Sequence, residues 1–281
     1  MRKIAIVTDS TAVMGNKFIE NEKDLYTVPL QILFGEEEVY RDGIDLTSEE
    51  FFTKISNIRI LPTTSQPSVG AVLELFNELV KEYDEILYIT ISSNISGTYN
   101  TGLLAANQLK DKKIEVFDSL HTAVIQKMYV EEALKMAKEG THVDSIIKKL
   151  KKMRKNSEIY LVVDNLRHLG RTGRVNNMGA IVGALLKIKP ILTFEEGYIN
   201  LRKKVRTLNR AYLEVVSILG DRELNDSSRI MIAHANGIEN AIRVKEAIEV
   251  IHPDKIIEID ELSPVIGVHT GPNTVGVAWI K

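Results

Sequence analysis

A chain of 281 residues with 44% hydrophobic and 26% charged residues has the make-up of a soluble globular protein, and at about 150 residues per domain its length predicts two domains. A formal net charge of −2 leaves no general basic surface for nucleic acid. With no cysteine it carries neither disulfides nor thiolate metal sites. It opens without a signal-type apolar region, and no stretch approaches the ~18 apolar residues of a membrane span, so a cytoplasmic location is expected.

The first half alternates strands and helices. "KIAIVT" (Lys3–Thr8) is a short β-branched run of the kind buried on both faces of a parallel sheet. "YTVPLQILF" is the next strand signal, and "LTSEEFFTKIS" begins with a capping pattern in which Thr47 or Ser48 precedes Glu49 and Glu50. The helical "VGAVLELFNELVKEY" leads to strand "DEILYITI", then strand "KIEVFD", then helices near Thr122–Lys138 and Val143–Lys155. This alternation predicts an α/β, doubly wound, mainly parallel N-terminal domain.

The second half changes rhythm after Ser157. Strand "EIYLVVDN" precedes a small-residue apolar helix, "MGAIVGALLKI". "KPILTFEEGYINLRKKVR" reads as two strands joined at a Glu-Gly turn. A helix at Leu208–Leu219, strand "RIMIAHA", helix "IENAIRVKEAIEVI", and strands "KIIEIDEL" and "TVGVAWI" complete the chain. The expectation is a two-domain protein: an α/β domain at 1–157 and an α+β domain with a mixed or antiparallel sheet at 158–281.

Four hydroxyl-rich clusters adjoin predicted strands: Thr8–Thr11, Thr63–Ser68, Ser92–Thr98 and His269–Gly276. Ligands in open α/β sheets sit beyond the carboxyl ends of strands, and a helix starting near Thr98 would turn free N–H groups toward an anion. Taken singly, each cluster is more readily a helix cap. No P-loop disfavours a nucleoside triphosphate, and no G-x-S-x-G elbow marks a serine nucleophile. The six histidines lack HxH or HxxxH spacing, against a metal site; His269, beside a polar turn, is free to line a site, and His234, at a strand end, is open to either reading. "LRHLGRTGRVNN" gathers Arg167, Arg171 and Arg174, a basic loop or a fork for a carboxylate or phosphate. In "YRDGID", Asp42 and Asp45 read more readily as turn residues than as cation ligands.

In order along the chain, "IAIVTDSTA", "VPLQI", "YRDGIDL", "PTTSQPS", "SSNISGTYN", "VFDS", "LGRTGRV" leading to "LLKIKPIL", and "GVHTGPNTVGVAW" resemble the DegV family of bacterial fatty-acid-binding proteins. The resemblance implies two α/β-type domains enclosing one long-chain fatty acid, its tail in an apolar tunnel and its carboxylate among hydroxyls. It implies a non-enzymatic carrier with no cofactor beyond that ligand. Its partner would be a fatty acid kinase, which phosphorylates the bound carboxyl for phospholipid synthesis. Thr64 and Ser96 are similar to the family's carboxylate-binding hydroxyls, His269 to the histidine extending that network, and Arg171 to the basic residue nearby. A basic surface of Arg171, Arg174, Arg202, Lys203 and Lys204 would face the kinase. A monomer that touches membranes transiently is expected. The alternatives are an enzyme acting on a small anionic substrate and a module that senses lipid supply. The chain departs from the family pattern at Thr172 and Asn273, where glycine is common, and at "LHTAVIQ", which lacks the family's serine and glycines.

Overall fold

The computed structural model describes residues 3–164, 166–176 and 188–281. The chain begins with β1 (Ile4–Asp9), a 3-10 turn, α1 (Asn16–Asn21) and β2 (Leu25–Val28). It leaves on an excursion of β3 (Gln31–Phe34), β4 (Glu38–Arg41), α2 (Ser48–Ser56) and β5 (Thr63–Ser65). It returns through α3 (Val69–Leu79), β6 (Glu85–Thr90), α4 (Thr98–Ala106), β7 (Lys113–Asp118), α5 (Ala123–Lys138) and α6 (Val143–Lys155). Then come β8 (Ser157–Val162), α7 (Arg167–Thr172), β9 (Lys189–Glu195), β10 (Tyr198–Val205), α8 (Leu208–Gly220) and β11 (Arg229–Ala235). The last elements are α9 (Ile238–Ile251), β12 (Ile257–Glu261), α10 (Pro264–Thr270) and β13 (Thr274–Ile280).

Strands β2-β1-β6-β7 form a parallel sheet in that order. Every position of β1 and β6 is buried, as strands covered on both faces require. The period of two divides them cleanly. Ala5, Val7, Ile86 and Tyr88 face Val72 and Phe76 of α3, while Ile6, Leu87 and Ile89 face Val124, Met128 and Ile146 of α5 and α6. The second sheet is mixed, in the order β10-β9-β8-β13-β11-β12. Only its β11–β12 pair is parallel among the described strands. One face packs on α8 and α9 around Trp279, which stacks on Tyr160 at 5.4 Å. The other face, with Ile159, Leu161 and Met231, joins the core that contains α5. The two-domain α/β fold class is therefore the one read from the sequence.

Local signals end the elements where they were expected. Thr47 is the N-cap of α2 in a full capping box with Glu50. Glu196 and Gly197 both have positive φ, 48° and 81°, which suits the tight turn joining β9 to β10. Asn273 has φ 61°, a left-handed conformation that asparagine tolerates better than most side chains, so its turn forms without glycine.

Two elements differ from expectation. "YTVPLQILF" is two strands in two sheets: β2 pairs with β1, and β3 joins a separate antiparallel sheet of order β4-β3-β5. Pro29 lies at the break and has no N–H to continue a ladder. The segment before "TGPN" is a helix, α10, with Pro264 in its first turn, where a missing N–H costs nothing. The apolar helix expected at "MGAIVGALLKI" lies, except for Ile188, outside the described residues.

Candidate functional site

The carboxyl ends of β1 and β6 carry two of the polar clusters, and they have different fates. At Thr8–Thr11 each polar side chain has a partner within the protein. Thr8 donates to Ile89 O at 2.9 Å and accepts from Gln126 Nε2 at 3.1 Å. Ser10 accepts from Leu30 N at 3.1 Å. The carboxylate of Asp9 accepts from Thr11 N at 3.0 Å, from the Thr11 hydroxyl, and from Ile91 N at 2.7 Å. Burial pushes the Asp9 pKa up against those hydrogen bonds. This cluster is scaffold, and its bond to Ile91 N fixes the start of the loop that carries Ser96.

In the Ser92–Thr98 loop, Ser92 donates to Gly197 O at 2.8 Å and Asn94 donates to Glu196 O at 2.7 Å. These bonds tie the loop to the turn between β9 and β10. Ser96 pairs with Thr98 Oγ1 at 2.9 Å. Gly97 is pressed against Gln66: a Cβ there would lie 1.7 Å from Gln66 Oε1, so the loop lies directly against the 63–68 segment. In that segment Ser68 caps α3, accepting from Ala71 N at 3.1 Å. Thr64 sits in β5 and makes a 2.8 Å hydrogen bond to His269 Nε2, across 205 residues.

These elements surround a cavity of about 250 Å³. Its apolar wall is drawn from the loop after β6 (Ile91 and Ile95), from the second sheet (Ile159, Leu161, Phe194 and Ile199), and from α10 and the residue before its N-cap (Leu262, Val265 and Ile266). Its polar lining comprises Thr64, Ser65, Gln66, Ser96, Thr122, Arg174, His269 and Thr270. Among the described residues, the Thr122 hydroxyl and His269 Nδ1 are buried and make no hydrogen bond. Burial first, then the charges of Arg174 and Arg171 and the His168 ring, depress His269 to a pKa of about 3. The imidazole is therefore neutral near pH 7, with one protonated and one bare nitrogen.

Three of the four residues singled out from the sequence, Thr64, Ser96 and His269, line this one cavity. Arg171 does not reach its described lining. Its guanidinium donates to Leu61 O at 2.9 Å and Pro62 O at 2.5 Å, which anchors the chain just ahead of Thr64. Arg174, three residues on in the same basic loop, takes the cavity position, and partial burial lowers its pKa. The charge was legible in that loop, but which arginine turns inward was not. Thr122 was missed because an N-terminal hydroxyl on a helix reads as a cap, yet here it makes no capping bond. Lys203 pairs with Glu214 at 2.5 Å on the surface. Among the described residues no cluster of His, Cys, Asp or Glu could hold a metal, and no helix is long and apolar enough to cross a membrane.

The chain matches the family model described as "Uncharacterised protein, DegV family" over residues 3–281. It is 39% identical to a DegV domain-containing protein of Halalkalibacterium halodurans, with 99% of each chain covered. Among solved structures it resembles DegV, a fatty acid binding protein from Bacillus subtilis, at 35% identity and a TM-score of 0.90, covering 100% of this chain and 99% of that one. It also resembles a fatty acid binding DegV family protein from Streptococcus agalactiae, at 29% identity and a TM-score of 0.92, with 100% and 99% covered. Matched along its length by the family model and by relatives that share over a third of their residues with it, the chain belongs to the DegV family.

Proposed function

We propose that this protein binds one long-chain fatty acid in the cavity between a lobe at 1–157 and a lobe at 158–281, and carries it without chemically altering it. The observation that carries this reading is a mostly apolar cavity whose polar groups include Thr64, His269, Ser96 and Arg174. The fatty acid binding of the Bacillus subtilis and Streptococcus agalactiae relatives points the same way.

The energetics suit such a ligand. Each methylene taken from water contributes ~0.8 kcal/mol, so ~14 of them supply on the order of 11 kcal/mol before docking and ordering costs. A buried, unpaired carboxylate would cancel much of that gain. A neutral His269 that donates from Nε2 to Thr64 leaves the Thr64 hydroxyl proton free for the ligand. Ser96 adds a second hydroxyl, and Arg174 a partly buried positive charge. Arg171 serves the same site by anchoring the Leu61–Pro62 backbone. Hydrogen bonds to a charged acceptor are worth ~1.5–3 kcal/mol each, enough to offset much of the head group's desolvation. The mostly apolar lining disfavours a small anionic substrate.

A carrier that holds the acid by its carboxyl suits presentation to a fatty acid kinase, which would form the acyl phosphate on the bound ligand for phospholipid synthesis. In this reading the protein is a monomer that meets membranes only transiently, to load. Native mass spectrometry of the protein after mild purification tests the core of the proposal. A bound mass equal to that of a long-chain acid is the expected result. Protein free of lipid that also takes up no palmitate from micelles would overturn it.

A further inference from the structure

The 30–65 excursion belongs to the first half of the chain but grips α10, which comes from the second. Helix α10 has seven residues, and its N-cap residue Ser263 makes no side-chain cap bond. Asp42 supplies one instead. Its Oδ1 accepts from Val265 N at 3.1 Å, across 223 residues. Asp42 is 1% exposed, and its own N–H donates to Leu30 O at 2.8 Å. Beside it, Ser48 donates to Leu262 O at 3.2 Å. On the flank of α10, Gly267 lies against the rings of α2: a Cβ there would come within 2.9 Å of both Phe51 and Phe52. The same excursion holds Thr64, paired with Ile32 across β5 and β3. The piece that grips the start of α10 therefore also presents the partner of His269, near the helix end.

From this geometry we infer that Asp42 is a positioning residue of the ligand site, setting α10 so that His269 meets Thr64. An aspartate suits the place, because it satisfies an orphan N–H and favours the positive end of a helix. Without it Val265 N–H is buried and unpaired, and the holds the excursion keeps on α10 are the Ser48 bond to Leu262 O, the Phe51–Phe52 contact and the Thr64–His269 bond itself. A shift of a few tenths of an ångström would lengthen the Thr64–His269 bond and misplace the Thr64 hydroxyl. The effect on ligand therefore runs through Thr64, which separates positioning from a general loss of stability. This inference rests on the fatty acid reading above.

The test measures palmitate affinity near neutral pH for the wild type, Asp42→Ala, Asp42→Asn, Gly267→Ala, Thr64→Val and the doubles with Thr64→Val. Asp42→Ala is expected to weaken binding about tenfold, the equivalent of one good hydrogen bond. Asp42→Asn keeps an acceptor oxygen for Val265 N–H and should stay within about threefold of wild type. In the Thr64→Val background Asp42→Ala should cost less than about twofold, since coupled residues are not additive. Equal losses with and without Thr64, or wild-type affinity in Asp42→Ala, would overturn the inference. Should Asp42→Ala fail to fold, Gly267→Ala, which displaces α10 at its contact with α2, is expected to show the same coupling to Thr64, and additivity there would be equally decisive. Imidazole NMR of ligand-free protein keeps the two readings apart. The His269 ring resonances should move in Asp42→Ala and not in Asp42→Asn, whether or not palmitate binds. Unmoved resonances would sink the role of Asp42, whereas a wild type that binds no palmitate would sink only the fatty acid reading.

Discussion

Thr8–Thr11 and the Thr64–Ser96 region look alike in sequence: short, rich in hydroxyls, next to strands. The structure separates them by what their polar atoms do. Around Asp9 every polar side chain has a partner inside the protein, and the whole cluster is buried apart from the partly exposed Ser10. Around the cavity, Thr64 bonds His269, Ser96 bonds the hydroxyl and the N–H of Thr98, and His269 Nδ1 and the Thr122 hydroxyl are bonded to none among the described residues. Saturated polar groups hold a fold, and groups with spare bonding capacity beside a cavity can hold a ligand.

The sharpest way to break this contrast is to exchange stability and binding effects between the regions. Asp9→Ala should cost on the order of 3–5 kcal/mol of stability, because it strands the N–H groups of Ile91 and Thr11 in the interior. Urea unfolding measures this, and a loss below about 1 kcal/mol would remove the scaffold role, since that is the scale of an ordinary surface change. The double change Thr64→Ala with Ser96→Ala should do the reverse. Palmitate affinity is expected to fall about 100-fold, for two charge-assisted hydrogen bonds, with the melting temperature nearly unmoved. Unchanged affinity would take both residues out of the site.

The pH dependence of stability sharpens the comparison further. His269 is held neutral in the folded chain, mainly by burial, with its pKa lowered to about 3. The unfolded chain takes up a proton on this residue near its ordinary value of about 6.5. Its stabilisation is therefore complete above about pH 6.5 and declines as the pH falls toward the folded value, by on the order of a few kcal/mol. His269→Gln should flatten that decline in urea midpoints taken across the interval, and a parallel wild-type curve would contradict the assignment. Asp42, raised to about 6 by burial, works in the opposite sense. Its contribution is full below about pH 4 and is lost as the pH rises through the folded value. Asp42→Asn should remove that part of the profile.

The smallest expected effect lies within one cluster. Ser68→Ala removes the cap of α3 and should cost about 1 kcal/mol of stability while leaving palmitate affinity as it was. Ser68 and Thr64 sit four residues apart in "PTTSQPS", so this pair shows at close range how one motif divides between cap and ligand site.

Sequence alone was enough for whatever is settled within a few residues. The β-branched runs of β1 and β6, the Thr47–Glu50 capping box and the positive-φ turn at Glu196–Gly197 each satisfy their backbone locally, so composition and spacing reveal them. It also marked Thr64, Ser96 and His269, through motifs in a fixed order. Only the tertiary structure decided that Thr64 bonds His269, that Arg174 and not Arg171 lines the cavity, that Pro29 divides one apolar run between two sheets, and that Asp42 caps a helix 223 residues away. Those outcomes depend on which distant surfaces pack together. A hydroxyl or carboxylate has the same local propensity whether its partner is its own backbone, a remote side chain or a bound ligand.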